Sequence, residues 1–194
     1  MLNQVDIKDW KGLTLQLNDV ALVNFVVGCP EIGKTRLLDY LNMNEEFSIF
    51  YSYICVTRNM PSCTIRDSML YWLEEYSSEF YGKERLLIDN IEAGLHHTQY
   101  KEVVEAVFNT ARKGVQFFIT TQSYEMLETV SEVLKEMKVK NDEMYTNEEV
   151  RLFSLFSLVQ PNRYKCFCKA SFQGAINMNM ELRGSAEEVG RLQK

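Results

Sequence analysis

The sequence predicts an α/β fold in which a mostly parallel sheet is flanked by helices and preceded by an N-terminal antiparallel strand pair. Three features carry that reading. Strand-like and helix-like patterns alternate through most of the 194 residues, the order expected of a parallel sheet covered on both faces. Segments of alternating polarity from Val5 to Leu17 read as a strand pair entering the domain. The apolar run Ala21–Val27 then leads through Gly28-Cys29-Pro30-Glu31-Ile32-Gly33-Lys34-Thr35 into a helix that opens Arg36-Leu37-Leu38-Asp39-Tyr40-Leu41.

The remaining elements follow in order. Aromatic and β-branched residues make Phe47–Val56 a strand, broken by Arg58-Asn59-Met60-Pro61-Ser62. From Thr64 to about Tyr81, Ile65, Met69, Trp72 and Leu73 recur with helical spacing, and Gly82 offers a stop. Arg85-Leu86-Leu87-Ile88-Asp89 is a short buried strand ending in an acid. A helix from Tyr100 to Arg112 turns Val103, Val107 and Ala111 inward and ends at Gly114, and Val115–Thr120 is another central strand. A helix over Tyr124–Lys135 and strands over Arg151–Val159 and Tyr164–Phe172, parted by the turn Gln160-Pro161-Asn162, complete the chain. The polar stretch Lys135–Glu149 reads as a solvated linker and the best candidate for a mobile loop. Residues 1–194 are expected to form a single domain.

Composition narrows the function classes. Hydrophobic residues at 46% and charged residues at 25% are ordinary for a soluble globular protein. With 21 basic against 27 acidic residues the net charge is −6, which gives no global attraction for nucleic acid. Five cysteines, an odd number, and a start without the basic and apolar regions of a secretory signal suggest reduced thiols in a cytoplasmic protein. No apolar run approaches the roughly 20 residues that cross a bilayer, so no membrane association is expected. Cys166 and Cys168 share one side of a strand and, with no second pair or nearby histidines, read as buried thiols rather than a zinc site. His96 and His97, being adjacent, do not converge easily on one ion and suit a loop or interface role. Phe50, Tyr51 and Tyr53 suit sheet packing better than base stacking.

The chemistry concentrates between the two loop glycines. Gly28–Thr35 fits G-x-x-x-x-G-K-[ST] at every fixed position, between a buried strand and a helix, which is the context a phosphate-cradling loop needs. Gly28 and Gly33 allow backbone conformations that side chains obstruct, so loop N–H groups can point at a triphosphate near the positive end of the helix dipole. Lys34 would reach the β- and γ-phosphates, and the Thr35 hydroxyl would take one Mg²⁺ position. The candidate nucleotide-binding residues are therefore Gly28, Cys29, Pro30, Glu31, Ile32, Gly33, Lys34, Thr35 and Arg36. The expected ligands are ATP and Mg²⁺. Asp89, at the end of its strand, is the second expected metal-side group beside Thr35.

The run Leu86-Leu87-Ile88-Asp89-Asn90-Ile91-Glu92-Ala93-Gly94-Leu95-His96-His97, followed after a helix by Phe117-Phe118-Ile119-Thr120-Thr121-Gln122-Ser123, resembles ABC-type P-loop ATPases of the OLD-like and SMC/Rad50-like group. Ile7–Leu13 before the phosphate loop and Asn177–Arg183 near the end are similar to the same group. The resemblance implies an ABC ATPase-like P-loop NTPase fold and an ATP-dependent dimerisation switch. It also marks departures. The family's water-activating glutamate, directly after the aspartate, is here Asn90. An amide can hold a water but cannot take its proton, and a positioned general base is worth roughly 10²- to 10⁴-fold in rate. The family's histidine near the γ-phosphate is here Gln122, which donates a hydrogen bond but cannot become cationic. The signature segment that reaches across a dimer is not recognisable; Ser62-Cys63-Thr64 stands nearest in position and lacks its glycines. No glutamine lies between Phe47 and Pro61 for the usual extra Mg²⁺ and water contact. Slow or impaired hydrolysis follows, with Asn90, Glu92 and Gln122 as the candidate catalytic residues. Glu92 is either a replacement carboxylate or a family-typical acid in the loop that contacts the partner.

The partner implied is a second copy or a complete ATPase subunit, with Ser62, Gly94, Leu95 and His96 on the candidate interface. Nucleic acid, or a nuclease on a separate chain, is implied by the family alone. Two other readings share the loop. A nucleotide or small-metabolite kinase would need an arginine-bearing lid, for which Arg58 and Arg66 are available. A non-hydrolysing adaptor subunit of an ATPase complex would keep only the binding site.

Overall fold

A computed structural model describes residues 1–44, 48–51, 65–79, 85–139, 149–156 and 164–178. Strands β1 (Val5–Trp10) and β2 (Leu13–Leu17) form the antiparallel pair, with Val5 opposite Leu17 and Ile7 opposite Leu15. Alternation along both strands buries Val5, Ile7, Leu13, Leu15 and Leu17 on one face. The main sheet comprises β3 (Val23–Gly28), β4 (Ser48–Tyr51), β5 (Arg85–Asp89), β6 (Gln116–Thr120), β7 (Val150–Leu155) and β8 (Tyr164–Cys168). Its spatial order is β4-β5-β6-β3-β7-β8. Every neighbouring pair is parallel except β7 with β8. The helices are α1 (Lys34–Asn44), α2 (Ile65–Glu79), α3 (Tyr100–Ala111), α4 (Tyr124–Val139) and α5 (Lys169–Asn177).

The pleat sorts the core into two layers. Val23, Phe25 and Val27, with Leu86, Ile88, Phe117, Ile119 and Leu152, pack against apolar stripes of α2 to α5, including Met69, Val103, Val107, Leu127 and Phe172. The alternate residues Val26, Leu87, Phe118, Phe153 and Leu155 face the other way, onto Leu37, Leu38 and Leu41 of α1 and the apolar face of the β1–β2 pair. With both faces covered, the central strand β3 is buried at every position, which is why it reads as a continuous apolar run rather than an alternation. Asn24 is the polar exception. Its side chain accepts from the Ala21 N–H at 2.8 Å and donates to the carbonyls of Ala21 at 2.7 Å and Phe117 at 2.9 Å, so its burial leaves no amide group unpaired.

Several boundaries differ from the expectation. α4 runs on past Lys135 to Val139, where Met137 extends the buried stripe of Val130, Val133 and Leu134. Of the expected loop, residues 140–148 lie outside the described residues. The last strand ends at Cys168 rather than Phe172: Phe172, Ala175 and Ile176 are buried at helical spacing, and α5 begins at Lys169. Cys166 is exposed and Cys168 half-buried, not the buried thiols expected, because β8 ends the order of described strands and has a neighbour only in β7. Of the strand expected over Phe47–Val56, only Ser48–Tyr51 is described, and Tyr53 lies outside the described residues. No helix among the described residues is long and apolar enough to cross a membrane.

Candidate functional site

The carboxyl ends of β3, β5 and β6 meet at one edge of the sheet, with β6 between the other two. In an open α/β sheet that edge is where ligands bind. The loop leaving β3 turns through positive φ at Gly28 (153°), Glu31 (64°) and Gly33 (95°). A Cβ on Gly28 would lie 2.7 Å from Ile32 Cγ2 and 3.0 Å from the Leu155 carbonyl oxygen, so this position accepts glycine for space as well as for conformation. Ile32 is buried and anchors the loop's far side, while Pro30 and Glu31 are exposed and Cys29 is half-buried.

Lys34 opens α1 and is 5% exposed, yet its ammonium is not orphaned: Nζ donates to the Gly28 carbonyl at 2.7 Å and the Cys29 carbonyl at 2.9 Å. Burial holds the Lys34 pKa below the ordinary lysine value, against the opposing pull of negative charge at Cys29, Asp89 and Glu92. Thr35 and Arg36 are exposed at the start of the same helix. The Thr35 hydroxyl donates to Asp89 Oδ2 at 3.0 Å, which joins the phosphate loop to the end of β5.

The segment after β6 fastens the segment after β5 at several points. Thr120, fully buried, donates through Oγ1 to Asp89 Oδ1 at 2.5 Å and accepts through the same atom from the Asn90 N–H at 2.8 Å. Its carbonyl accepts from the Ile91 N–H at 3.1 Å. Gln122 donates its main-chain N–H to Glu92 Oε1 at 2.6 Å and its side-chain Nε2 to Asn90 Oδ1 at 3.2 Å. Asn90 takes a left-handed conformation, φ 50°, which Asn tolerates better than most residues. The other oxygen of Glu92 is buried and has no hydrogen-bond partner.

Asn90, Glu92 and Gln122 thus stand together beside Asp89; from the loop, Thr35 bonds Asp89 and the Lys34 ammonium feels the charge of Asp89 and Glu92. Thr120 is the member sequence reasoning missed. It lies inside the quoted run Thr120-Thr121-Gln122, but its meaning depends on the β5–β6 register, in which Ile88 faces Ile119 and the following residues, Asp89 and Thr120, come side by side. Gly94, His96 and His97 are exposed beyond Glu92, and Leu95 is half-buried. The two imidazoles lie 4.1 Å apart between centroids, with the His96 ring capping the short turn His97–Gln99. Arg66 is bonded to Glu102, which accepts two bonds of 2.7 Å from it, and to Asp67 at 2.7 Å. Arg58 and Ser62-Cys63-Thr64 lie outside the described residues, as do residues 179–183 of the late family-like segment.

The oxygen pair Thr35 Oγ1 and Asp89 Oδ2 fits a hard divalent cation. A hydroxyl and a carboxylate oxygen, brought together by their 3.0 Å hydrogen bond, are the donor types that would hold Mg²⁺. One carboxylate with one hydroxyl leaves the remaining positions to phosphate oxygens and water, the usual pattern for this ion. Among the described residues no group of three or more His, Cys, Asp or Glu offers an all-protein metal cage.

The mixed sheet with flanking helices, and the antiparallel pair at its start, is compatible with an α/β fold of P-loop form. No family profile matches the sequence, and no curated protein emerges as a relative. Among solved structures, PCH-2 of C. elegans aligns over 63% of this chain and 41% of its own length, at 14% identity and a TM-score of 0.36. This chain therefore spans less than half of that protein, and a likeness this slight carries no argument about function. It does not point to the OLD-like or SMC/Rad50-like group.

Proposed function

We propose that the chain is an ATP-binding module that takes ATP with Mg²⁺ on the Gly28–Thr35 loop and uses it as a switch for association, with hydrolysis slow or impaired. One observation carries the binding half: the complete phosphate loop stands with Thr35 Oγ1 3.0 Å from Asp89 Oδ2, the acid at the end of β5. On arrival of a triphosphate, Lys34 exchanges its two loop carbonyls for phosphate oxygens, which offer a charged acceptor in place of neutral ones. Mg²⁺, when bound, neutralises charge on the phosphates and fixes their orientation.

Support for weak hydrolysis comes from the neutral pair Asn90–Gln122. Asn90 Oδ1 is engaged by Gln122 Nε2, so what Asn90 can turn toward a ligand is its amide N–H₂, a donor with no capacity to accept a proton. A site of this kind holds a γ-phosphate more readily than it activates a water. The loop covers one side of the triphosphate, and the exposed Gly94 and His96, with Leu95, are the proposed surface for a second copy or an ATPase partner.

Calorimetric titration with ATP and Mg²⁺, with Lys34→Ala as control, tests binding; equal affinity in both proteins overturns the reading. Sedimentation with ATP, ADP and no nucleotide, alone and with copurifying proteins, tests the switch. ATP-specific association is expected, and a monomer in every condition with ATP bound refutes it.

A further inference from the structure

We infer that Thr120 is a positioning residue for the metal side of this site, locking one carboxylate oxygen of Asp89 so that the other is presented to the ion. The inference rests on the ATP–Mg²⁺ reading above and adds a residue to it. A carboxylate at the end of a strand can rotate about its terminal torsion, which is broad and two-fold rather than fixed by staggering. The two oxygens are equivalent, so what must be fixed is the plane of the carboxylate, with one oxygen toward the loop. The Thr120 hydroxyl fixes it by bonding on both sides at once: it accepts from the Asn90 N–H at 2.8 Å and is thereby turned to donate its proton to Asp89 Oδ1 at 2.5 Å. Oδ2 is left toward Thr35 Oγ1, the other proposed ligand, at 3.0 Å.

Thr120 is itself held on several sides. It is fully buried at the end of β6, inside the sheet between β5 and β3. Its carbonyl is bonded to the Ile91 N–H at 3.1 Å, and the Thr121 N–H bonds to the Val26 carbonyl at 3.3 Å. The hydroxyl therefore works from a frame of its own, and the Asp89 carboxylate plane is set before the ion arrives. Partners of this kind, one bond removed from the metal, typically change metal affinity by about 10- to 100-fold when removed.

The test compares Thr120→Val, which keeps the shape and removes the hydroxyl, with Thr120→Ser, which keeps the hydroxyl. A fluorescent ATP analogue is titrated into each protein in EDTA and again across a Mg²⁺ series. Thr120→Val is expected to bind the analogue in EDTA as the wild type does, while its half-saturating Mg²⁺ concentration rises about 10- to 100-fold; Thr120→Ser stays close to wild type. An unchanged Mg²⁺ dependence in Thr120→Val overturns the inference. So does an equal loss with and without Mg²⁺, which marks a purely structural role. Thr120→Ala replaces the valine variant if the latter does not fold, and the same outcomes decide. Wild-type protein that binds no analogue in either condition instead refutes the ATP-binding reading, and this inference with it.

Discussion

The two halves of the site are built differently. The phosphate side is one contiguous loop, Gly28–Thr35, in which every fixed position of the motif is present and the lysine is held by carbonyls of its own loop. The opposite side is assembled from residues about thirty positions apart, with Gln122 bonded to Asn90 and Glu92 and Thr120 bonded to Asp89. There Thr120 and Thr35 bond Asp89, while the two positions the family resemblance assigns to water activation and γ-phosphate contact, 90 and 122, carry neutral amides bonded to each other. The difference separates holding a nucleotide from hydrolysing it: the first needs donors, charge and an orienting acid, and the second needs a base.

The largest effect should come from returning charge to the amide pair. Asn90→Glu combined with Gln122→His is expected to raise steady-state phosphate release by about 10²- to 10⁴-fold. The cost is local. Position 90 has φ 50°, where glutamate is less favoured than asparagine, so a loss of stability of order 1 kcal/mol should accompany the gain. Fast release by the wild type, unaffected by Asn90→Ala but lost in Glu92→Gln, would break the contrast by showing that Glu92, with its unpartnered buried oxygen, is the working base.

Next in size is the binding half. Lys34→Ala removes a charged donor and should weaken ATP about 10- to 100-fold, as loss of a charged hydrogen-bonding partner usually does. It should also abolish most of the thermal shift that ATP produces. A shift equal to that of the wild type would show that the loop is not where the nucleotide sits.

Gly28→Ala sharpens the comparison from the side of stability. The new methyl group meets Ile32 Cγ2 at 2.7 Å and the Leu155 carbonyl at 3.0 Å, so about 1–3 kcal/mol should be lost in denaturant unfolding even without nucleotide. An unchanged midpoint would show that the loop relaxes freely.

The smallest effect is a pH dependence specific to Lys34. Its folded pKa is lowered by burial from the ordinary 10.5. Between those two values the unfolded chain holds a proton that the folded chain has released, so stability gains with rising pH across that window. At pH below the lowered value the cost of burying the charge is present in full. Denaturation measured from about pH 7 to about pH 10 should show the wild type gaining relative to Lys34→Met as pH rises. Parallel curves would mean that the buried ammonium carries no such penalty.

Local pattern alone located most of the architecture. The strand pair, the β3-loop-α1 unit, β5 ending in Asp89 and the Val103–Val107–Ala111 stripe of α3 were all legible, because each is encoded in neighbouring residues through a period of two or of 3.6. The end of β8 was not. Phe172 continues an apolar run in sequence, and only packing with the other buried residues of α5 decides that the backbone there is helical. The site divides the same way. Gly28–Thr35 states its chemistry in consecutive residues, since a phosphate loop is made by one turn of chain. That the Asp89 carboxylate spans Thr35 and Thr120, that Gln122 turns its amide onto Asn90, and that Thr120 bonds both Asp89 and the Asn90 N–H depend on the β5–β6 register and on the crossover through α3. Those contacts bridge segments that neither composition nor spacing aligns, so the tertiary fold decides them: burial fixes Thr120 in the sheet, and its hydroxyl must find partners where water cannot reach.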